Sequence, residues 1–198
     1  LSVQILNCGL SNTFSVKNAL DSLGVDSVLV DDSKKLNPED RIILPGVGAF
    51  GDGMEELGSR EFIPILHEAI ALGTPVLGIC LGMQLLFESS CEFGEHEGLG
   101  VFPGKVRKLP SDQEGVKLPH MGWENLMPDK ETSGSQAFYF VHSYYCEALP
   151  DHVVEKALFG SFEFPATVAR DNVMGFQFHP EKSGVAGLNR LKDFCTRG

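Results

Sequence analysis

Three side chains, one near the middle of the chain and two near its end, are of the types that carry out nucleophilic catalysis together. Cys80 lies in "PVLGICLGMQLLFE", residues 75 to 88, where an apolar, strand-like run passes straight into a helix-like one, with Gly78 and Gly82 placed symmetrically about the cysteine. Glycine-x-nucleophile-x-glycine at a strand-to-helix corner is a nucleophile elbow. Its tight, strained turn lifts one side chain clear of the sheet, and the small residues let the backbones close up. At the head of a helix the thiol would also meet unpaired N–H groups and the positive end of the helix dipole, both of which favour thiolate. A buried cysteine packing as a small hydrophobe is the plainer reading, but it leaves the glycine pair unexplained.

A thiolate nucleophile needs a base, and in elbow enzymes it follows downstream. "GFQFHPEKSG", 175 to 184, supplies His179, held extended by Pro180. Residues two apart in an extended segment point the same way, so Glu181 shares its face. Cys80, His179 and Glu181 therefore make a triad of nucleophile, general base and acid, and orienting carboxylate. Ser183 is expected to cap the closing helix. The histidines at 67, 96, 120, 142 and 152 lack a carboxylate in that register, and His96, within "EHE", reads as solvated. For the oxyanion, the N–H of Leu81 is one donor by elbow geometry. "LPGVGAFGDG", 44 to 53, is the best source of a second, because peptides flanked by glycine turn easily. No Lys-Ser/Thr follows that loop and its spacing misses the dinucleotide fingerprint, so it does not read as a phosphate cradle.

The elements that must position these groups are legible as an alternation. Apolar runs at 3 to 6, 26 to 32, 41 to 46 and 75 to 79 alternate with helical patterns at 13 to 24 and 61 to 73, which predicts βαβ units and a parallel sheet. In the first helix Phe14, Ala19, Leu20 and Leu23 share a face, Asn12 is the expected cap and Gly24 the stop. The second half is β-rich, at 101 to 109, 137 to 147, 153 to 159, 162 to 170 and 173 to 178, and closes with a helix at about 184 to 196. The expected fold is three-layer α/β, flavodoxin-like, with a mostly parallel central sheet, helices on both faces and added antiparallel strands. No repeat or linker divides it, so residues 1 to 198 are expected to form one domain.

Composition sets the surroundings. A formal charge of −11 is a poor match to nucleic acid or an anionic membrane, and points to protein partners. The cysteines at 8, 80, 91, 146 and 195 are odd in number and form no C-x-x-C, so neither a disulfide framework nor a zinc site is expected. No cofactor is required. No apolar run approaches membrane-spanning length and no basic-headed signal peptide opens the chain, which fits a reducing, cytoplasmic setting. The chain begins at Leu1, so an initiating methionine or short leader is expected ahead of it.

"PGVG", "GICLGMQLLFE" and "FHPEKS", in this order, resemble the class I, triad-type glutamine amidotransferases over essentially the whole chain. Within that class, "LPHMGWENL" (118 to 126) and "YFVHSYY" (139 to 145) are similar to the glutaminase subunits that serve imidazole glycerol phosphate synthesis in histidine biosynthesis. The resemblance implies that Cys80 attacks the side-chain amide of L-glutamine, that His179 protonates departing ammonia, and that water hydrolyses the thioester to glutamate. It implies that Gly48, Gln84, Glu92, Ser143 and Tyr144 hold the glutamine and that Val47 gives the second oxyanion N–H. Without it, Gln84 reads as a surface residue and Tyr144 as a strand aromatic. It also implies a separate cyclase subunit, a (β/α)8 barrel forming a heterodimer with this chain, docked near Met121, Trp123 and Lys182 and receiving the ammonia.

One departure is local. The family shows a D-Y-G-x-G-N-like pattern after the first strand, where this chain reads "NCGLSN", 7 to 12, with Gly9 and Asn12 kept and Asn7 in place of the acid. Alternative readings use the same triad: a paralogous glutaminase feeding a sugar-modification or pyridoxal phosphate synthase, a cysteine peptidase or γ-glutamyl hydrolase, or a silent binding subunit. The pyridoxal phosphate type resembles PGGES where this chain has "PGVGAF", and a silent subunit would have a broken triad.

Overall fold

The computed structural model describes residues 2 to 9, 12 to 111, 117 to 128 and 136 to 196. Leu10 and Ser11 of "NCGLSN" lie outside them. In chain order the described elements are β1 (Val3–Leu6), α1 (Thr13–Ser22), β2 (Ser27–Val30), β3 (Arg41–Gly46), α2 (Phe50–Ser59), α3 (Phe62–Ala71), β4 (Val76–Cys80), α4 (Leu81–Leu85), β5 (Phe87–Ser90), β6 (His96–Glu97), β7 (Phe102–Lys108), β8 (His120–Asn125), β9 (Met127–Pro128), β10 (Ala137–His142), β11 (Tyr144–Ala148), β12 (Val153–Phe159), β13 (Phe162–Arg170), β14 (Val173–Phe176) and α5 (Gly184–Thr196). The main sheet runs β2-β1-β3-β4-β14-β13-β12-β9. The pairs from β2 to β14 are parallel and the rest antiparallel.

Parallel strands buried on both faces should be apolar throughout, and β1, β3 and β4 are buried at every position. Alternate residues feed two cores. Ile42, Leu44 and Val76 pack with Phe50, Leu57, Phe62 and Leu66 of α2 and α3. Ile43, Leu77 and Ile79 pack with Val16, Leu20, Leu191 and Phe194 of α1 and α5, and with Phe138 and Phe140 of β10. This is the expected three-layer α/β arrangement. A four-stranded sheet, β11-β7-β5-β6, and a ribbon, β8-β10, flank it.

Several elements differ from expectation. The glycine-rich stretch is loop only as far as Ala49: helix α2 starts at Phe50, because Phe50, Gly53 and Leu57 recur at helical spacing and face the core. The helix after Cys80 stops at Leu85, and Phe87 and Glu88 enter a strand, so the helix is too short for a large dipole. Strand β8, absent from the sequence reading, forms because β10 offers it an antiparallel partner along its whole length. In α1, Phe14 is 67% exposed and Val16 takes the core position. Asn12 does not cap that helix with its side chain.

The junction of β4 and α4 is the tightest packing near the site. A Cβ on Gly78 would lie 2.6 Å from the carbonyl oxygen of Gly82, and one on Gly82 would lie 1.8 Å from that of Leu44. Both obstacles are backbone, which cannot swing aside. Gly82→Ala is therefore expected to lower the unfolding free energy by about 3 kcal/mol, the upper end of ordinary overpacking. Urea denaturation measures it, and a wild-type midpoint would show that α4 has slack against β3.

Candidate active site

Cys80 ends β4 with φ 54° and ψ −108°, a conformation that L residues avoid and that marks the strained corner of an elbow. Its residue is only 6% exposed. The thiol S–H lies 3.9 Å from the carbonyl oxygen of Val141, and the amide Nε2 of Gln177 lies 3.8 Å from Sγ.

His179 and Glu181 meet, but not by extended alternation. His179 is extended, after which residues Pro180–Lys182 curl into a 3-10 turn that brings the carboxylate back to the ring. Nδ1 of His179 and Oε1 of Glu181 are 2.8 Å apart, with both side chains fully buried. Asn12 Nδ2 donates to the same Oε1 at 2.6 Å and lies 3.4 Å from Nδ1. Asn12 is thus a positioning residue that sequence reasoning assigned to the helix. Its signal was there, in a polar residue at the carboxyl end of β1, where α/β sheets hold their sites.

Burial alone would lower the His179 pKa, but the neighbouring Cys80 sulfur and Glu181 carboxylate overcome it and raise it to about 10. The resting ring is imidazolium. Its Nε2 is buried and makes no hydrogen bond among the described residues. Ser183 does not cap α5 with its hydroxyl: it donates to the His179 carbonyl at 2.6 Å and accepts the Tyr139 N–H at 2.9 Å. His179 N–H also donates to Tyr139 O at 2.9 Å, so the triad segment is laced to β10.

A cavity of about 280 Å³ opens beside Sγ, lined by Val47, Gly48, Cys80, Leu81, Gln84, Glu92, Val141, His142, Ser143 and Tyr144 among others. It brings together every residue expected for glutamine and for the oxyanion. Gly46 pairs with Cys80 in register, so Val47 and Leu81 leave the sheet side by side. Gly48 has φ 118° and open space where a Cβ would be. Glu92 accepts the Phe50 N–H at 2.8 Å, tying the cavity wall to the start of α2, and burial raises its carboxyl above the usual range. Gln84 is buried rather than superficial; its Nε2 donates to Tyr144 O at 3.0 Å and to Gln177 Oε1 at 3.1 Å. A larger cavity, of about 440 Å³, lies at the other end of the sheet around Arg41 and Asp171, and its lining has neither cysteine nor histidine.

Met121 and Trp123, 62% and 55% exposed, stand on β8, and Lys182 is exposed next to the triad. Trp123 packs edge-on against Tyr139, with ring centroids 5.9 Å apart. Two buried histidines also come to light. His120 Nδ1 and His142 Nε2 are 3.2 Å apart, and burial above all pushes the His142 pKa down to about 3. His120 has no carboxylate two residues on, as its sequence shows, but Glu124, four residues on, lies 3.7 Å from its Nε2. Among the described residues no cluster of ligands could hold a metal ion, and no helix is long and apolar enough to cross a membrane.

A cysteine elbow with a downstream histidine and glutamate over a parallel sheet is the arrangement of a cysteine-dependent hydrolase. Residues 4–197 match the family model "Glutamine amidotransferase class-I", and the chain belongs to that family. It is 45% identical to "Imidazole glycerol phosphate synthase subunit HisH" of Lacticaseibacillus casei, over 97% of this chain and 94% of that one. The protein of the same name from Sulfurimonas denitrificans is also 45% identical, over 97% and 96%. Among solved structures, a glutamine amidotransferase superposes with a TM-score of 0.76 at 21% identity, covering 98% of this chain and 97% of that one, and so shares the fold.

The raised His179 value has a consequence for stability. Because the folded pKa of about 10 exceeds the ordinary 6.5, the imidazolium stabilises the fold fully below pH 6.5 and ceases to as pH rises through about 10. Urea unfolding of wild type and His179→Gln should show the gap between them largest near about pH 6 and shrinking towards about pH 10. A gap independent of pH would mean that the ring is neutral at rest.

Proposed function

We infer that this chain is the glutaminase subunit of an imidazole glycerol phosphate synthase, working as one domain. It hydrolyses L-glutamine to glutamate and ammonia for a separate cyclase subunit in histidine biosynthesis. The observation that carries this reading is the Cys80, His179 and Glu181 geometry in a chain 45% identical, almost end to end, to relatives of that name. Asn7, which stands where the family pattern has an acid, accepts from Thr13 Oγ1 at 3.4 Å and so serves the start of α1.

The steps follow from the site. The Cys80 sulfur attacks the side-chain carbonyl carbon of glutamine, and the oxygen gathers negative charge opposite the N–H groups of Val47 and Leu81. His179 Nε2 gives its proton to the nitrogen as the C–N bond breaks, releasing ammonia and leaving a thioester. The neutral ring then takes a proton from water as it attacks, and glutamate leaves as the C–S bond breaks. Gly48, Gln84, Glu92, Ser143 and Tyr144 form the wall that receives the amino acid. Ammonia freed into neutral water becomes ammonium and loses its nucleophilicity, so it has to pass directly to the acceptor. Met121, Trp123 and Lys182 are the proposed docking residues for a (β/α)8-barrel cyclase in a heterodimer: an exposed apolar pair beside a cation, on a ribbon bonded to the triad segment.

Cys80→Ala is expected to abolish glutamine hydrolysis while sparing synthesis by the complex when ammonium salts at alkaline pH replace glutamine. A diazo-ketone glutamine analogue should label Cys80 and leave Cys8, Cys91, Cys146 and Cys195 unmodified. Labelling elsewhere, with activity retained in Cys80→Ala, would overturn the assignment.

A peptide beside glycine rotates at low steric cost and can offer the oxyanion either a carbonyl or an N–H. One lost oxyanion donor costs roughly 10² to 10³ in rate, so the Val47–Gly48 peptide suffices as a switch. Steady-state glutaminase activity should rise by about that factor from the free chain to the complex carrying an acceptor analogue. Turnover equal within a few-fold would place the gate elsewhere.

A further inference from the structure

The amide of Gln177 is a fully buried polar group that the triad does not use. It sits in an apolar run, between Phe176 and Phe178, whose rings stack on each other 4.8 Å apart within the α1 and α5 side of the core. Which end of that amide faces the sulfur decides its chemistry, and the hydrogen-bond network settles it. A backbone carbonyl only accepts. The Tyr144 oxygen takes a bond from the Gln84 side chain at 3.0 Å, so that end of Gln84 is its NH2. The same NH2 lies 3.1 Å from Gln177, whose facing atom must then be the carbonyl oxygen. The NH2 of Gln177 is thereby turned towards Cys80 Sγ, 3.8 Å away.

The anchor of this chain is held from a second side. The Tyr144 oxygen also accepts from His142 Nδ1 at 2.8 Å, which fixes the tautomer of that neutral ring and leaves its Nε2 to accept from His120 Nδ1 at 3.2 Å. Every bond in the series therefore has its direction set by one carbonyl.

We propose that Gln177 is a further catalytic residue, an N–H donor to the Cys80 sulfur that holds and stabilises the thiolate, with its amide locked in that orientation by Gln84. In the thiol form the S–H points to Val141 O, and the sulfur lone pairs remain for Gln177. When the sulfur is ionised beside the His179 imidazolium it carries a full charge, and the Gln177 contact becomes charge-assisted, the kind that contributes most. It acts again when sulfur departs from the thioester. The proposal rests on Cys80 being the nucleophile and is independent of which amide it attacks.

The test is the rate at which iodoacetamide alkylates Cys80 in the full chain, resolved by peptide mass spectrometry over a range of pH. Gln177→Met keeps length and loses the donor. With circular dichroism and melting confirming the fold, it should react about tenfold more slowly near neutral pH, with its pH profile moved to the alkaline side. Gln177→Glu should be slower still, since a carboxylate beside the sulfur repels its charge. In glutamine hydrolysis kcat should fall by a similar factor, with KM changed less than about twofold. A folded Gln177→Met with the wild-type alkylation rate and profile would overturn the proposal. If that variant does not fold, Gln84→Met decides: it frees the Gln177 amide without touching the sulfur, and a few-fold loss in the same direction is expected, while none would equally overturn it. Alkylation needs no glutamine, so a wrong assignment of substrate would leave these results standing and show itself only in the hydrolysis assay.

Discussion

The close approach of α4 to the backbones of β3 and β4 is the constraint on which the site depends. Gly82 presses against the Leu44 carbonyl with no room for a methyl group, and Gly78 against Gly82 in turn. Only this proximity lets a helix start one residue after a strand ends, and only that abrupt reversal leaves Cys80 with positive φ at the corner. A conformation of this kind costs about 1 to 3 kcal/mol and persists where its surroundings over-determine it. Here they do. Ile79, Leu81, Met83 and Leu85 are all buried and anchor both arms of the turn in the cores on either face of the sheet.

From that corner outward, the other proposed catalytic groups are held by polar contacts between segments distant in sequence. Glu181 receives Asn12 from the end of β1, and His179 and Ser183 bond to Tyr139 in β10. Gln84 and His142 converge on the Tyr144 carbonyl. The site is thus a closure of several chain segments over the carboxyl ends of the parallel strands, where the sheet order β2-β1-β3 reverses direction and leaves a crevice. Buried polar groups in such a cluster are expensive to leave unsatisfied. The exceptions are therefore informative: His179 Nε2 and Glu181 Oε2 are buried without a hydrogen-bond partner in the described residues, the former at the atom proposed to carry the proton.

The parallel half of the fold was legible in the sequence because its strands are short apolar runs separated by helices whose glycines mark their ends. The triad was legible for a related reason: an elbow needs glycines at fixed offsets, and a proline after the histidine restricts it. What escaped has the opposite character. Strand β8 has a partner because β10 lies beside it, and its alternation is inverted, with the apolar Met121 and Trp123 on the exposed side, so it does not read as a half-buried strand. Helix α2 was hidden by three glycines within ten residues, which lower intrinsic propensity but are overridden by Phe50 and Leu57 in the core. Phe14 was placed inside on periodicity, and nothing local distinguishes it from Val16. Asn12 and Gln177 are polar residues with more than one use, and their partners come from segments 167 to 169 and 97 residues away.

The distribution of rigidity bears on how such a site is controlled. The nucleophile is fixed by backbone contact, and the base by a carboxylate that Asn12 also grips, so neither can be displaced without breaking buried structure. The oxyanion side differs. Val47 and Gly48 line the cavity on one wall and an outward-opening cleft with Asp52, Glu55 and Glu56 on another, and the space about Gly48 is empty where a side chain would be. Motion there disturbs no core packing. A site whose proposed base and nucleophile are both held in place has its oxyanion stabilisation left to vary. The glycine between β3 and α2 is where variation is cheapest, so the loop, rather than the triad, is where control of hydrolysis is expected.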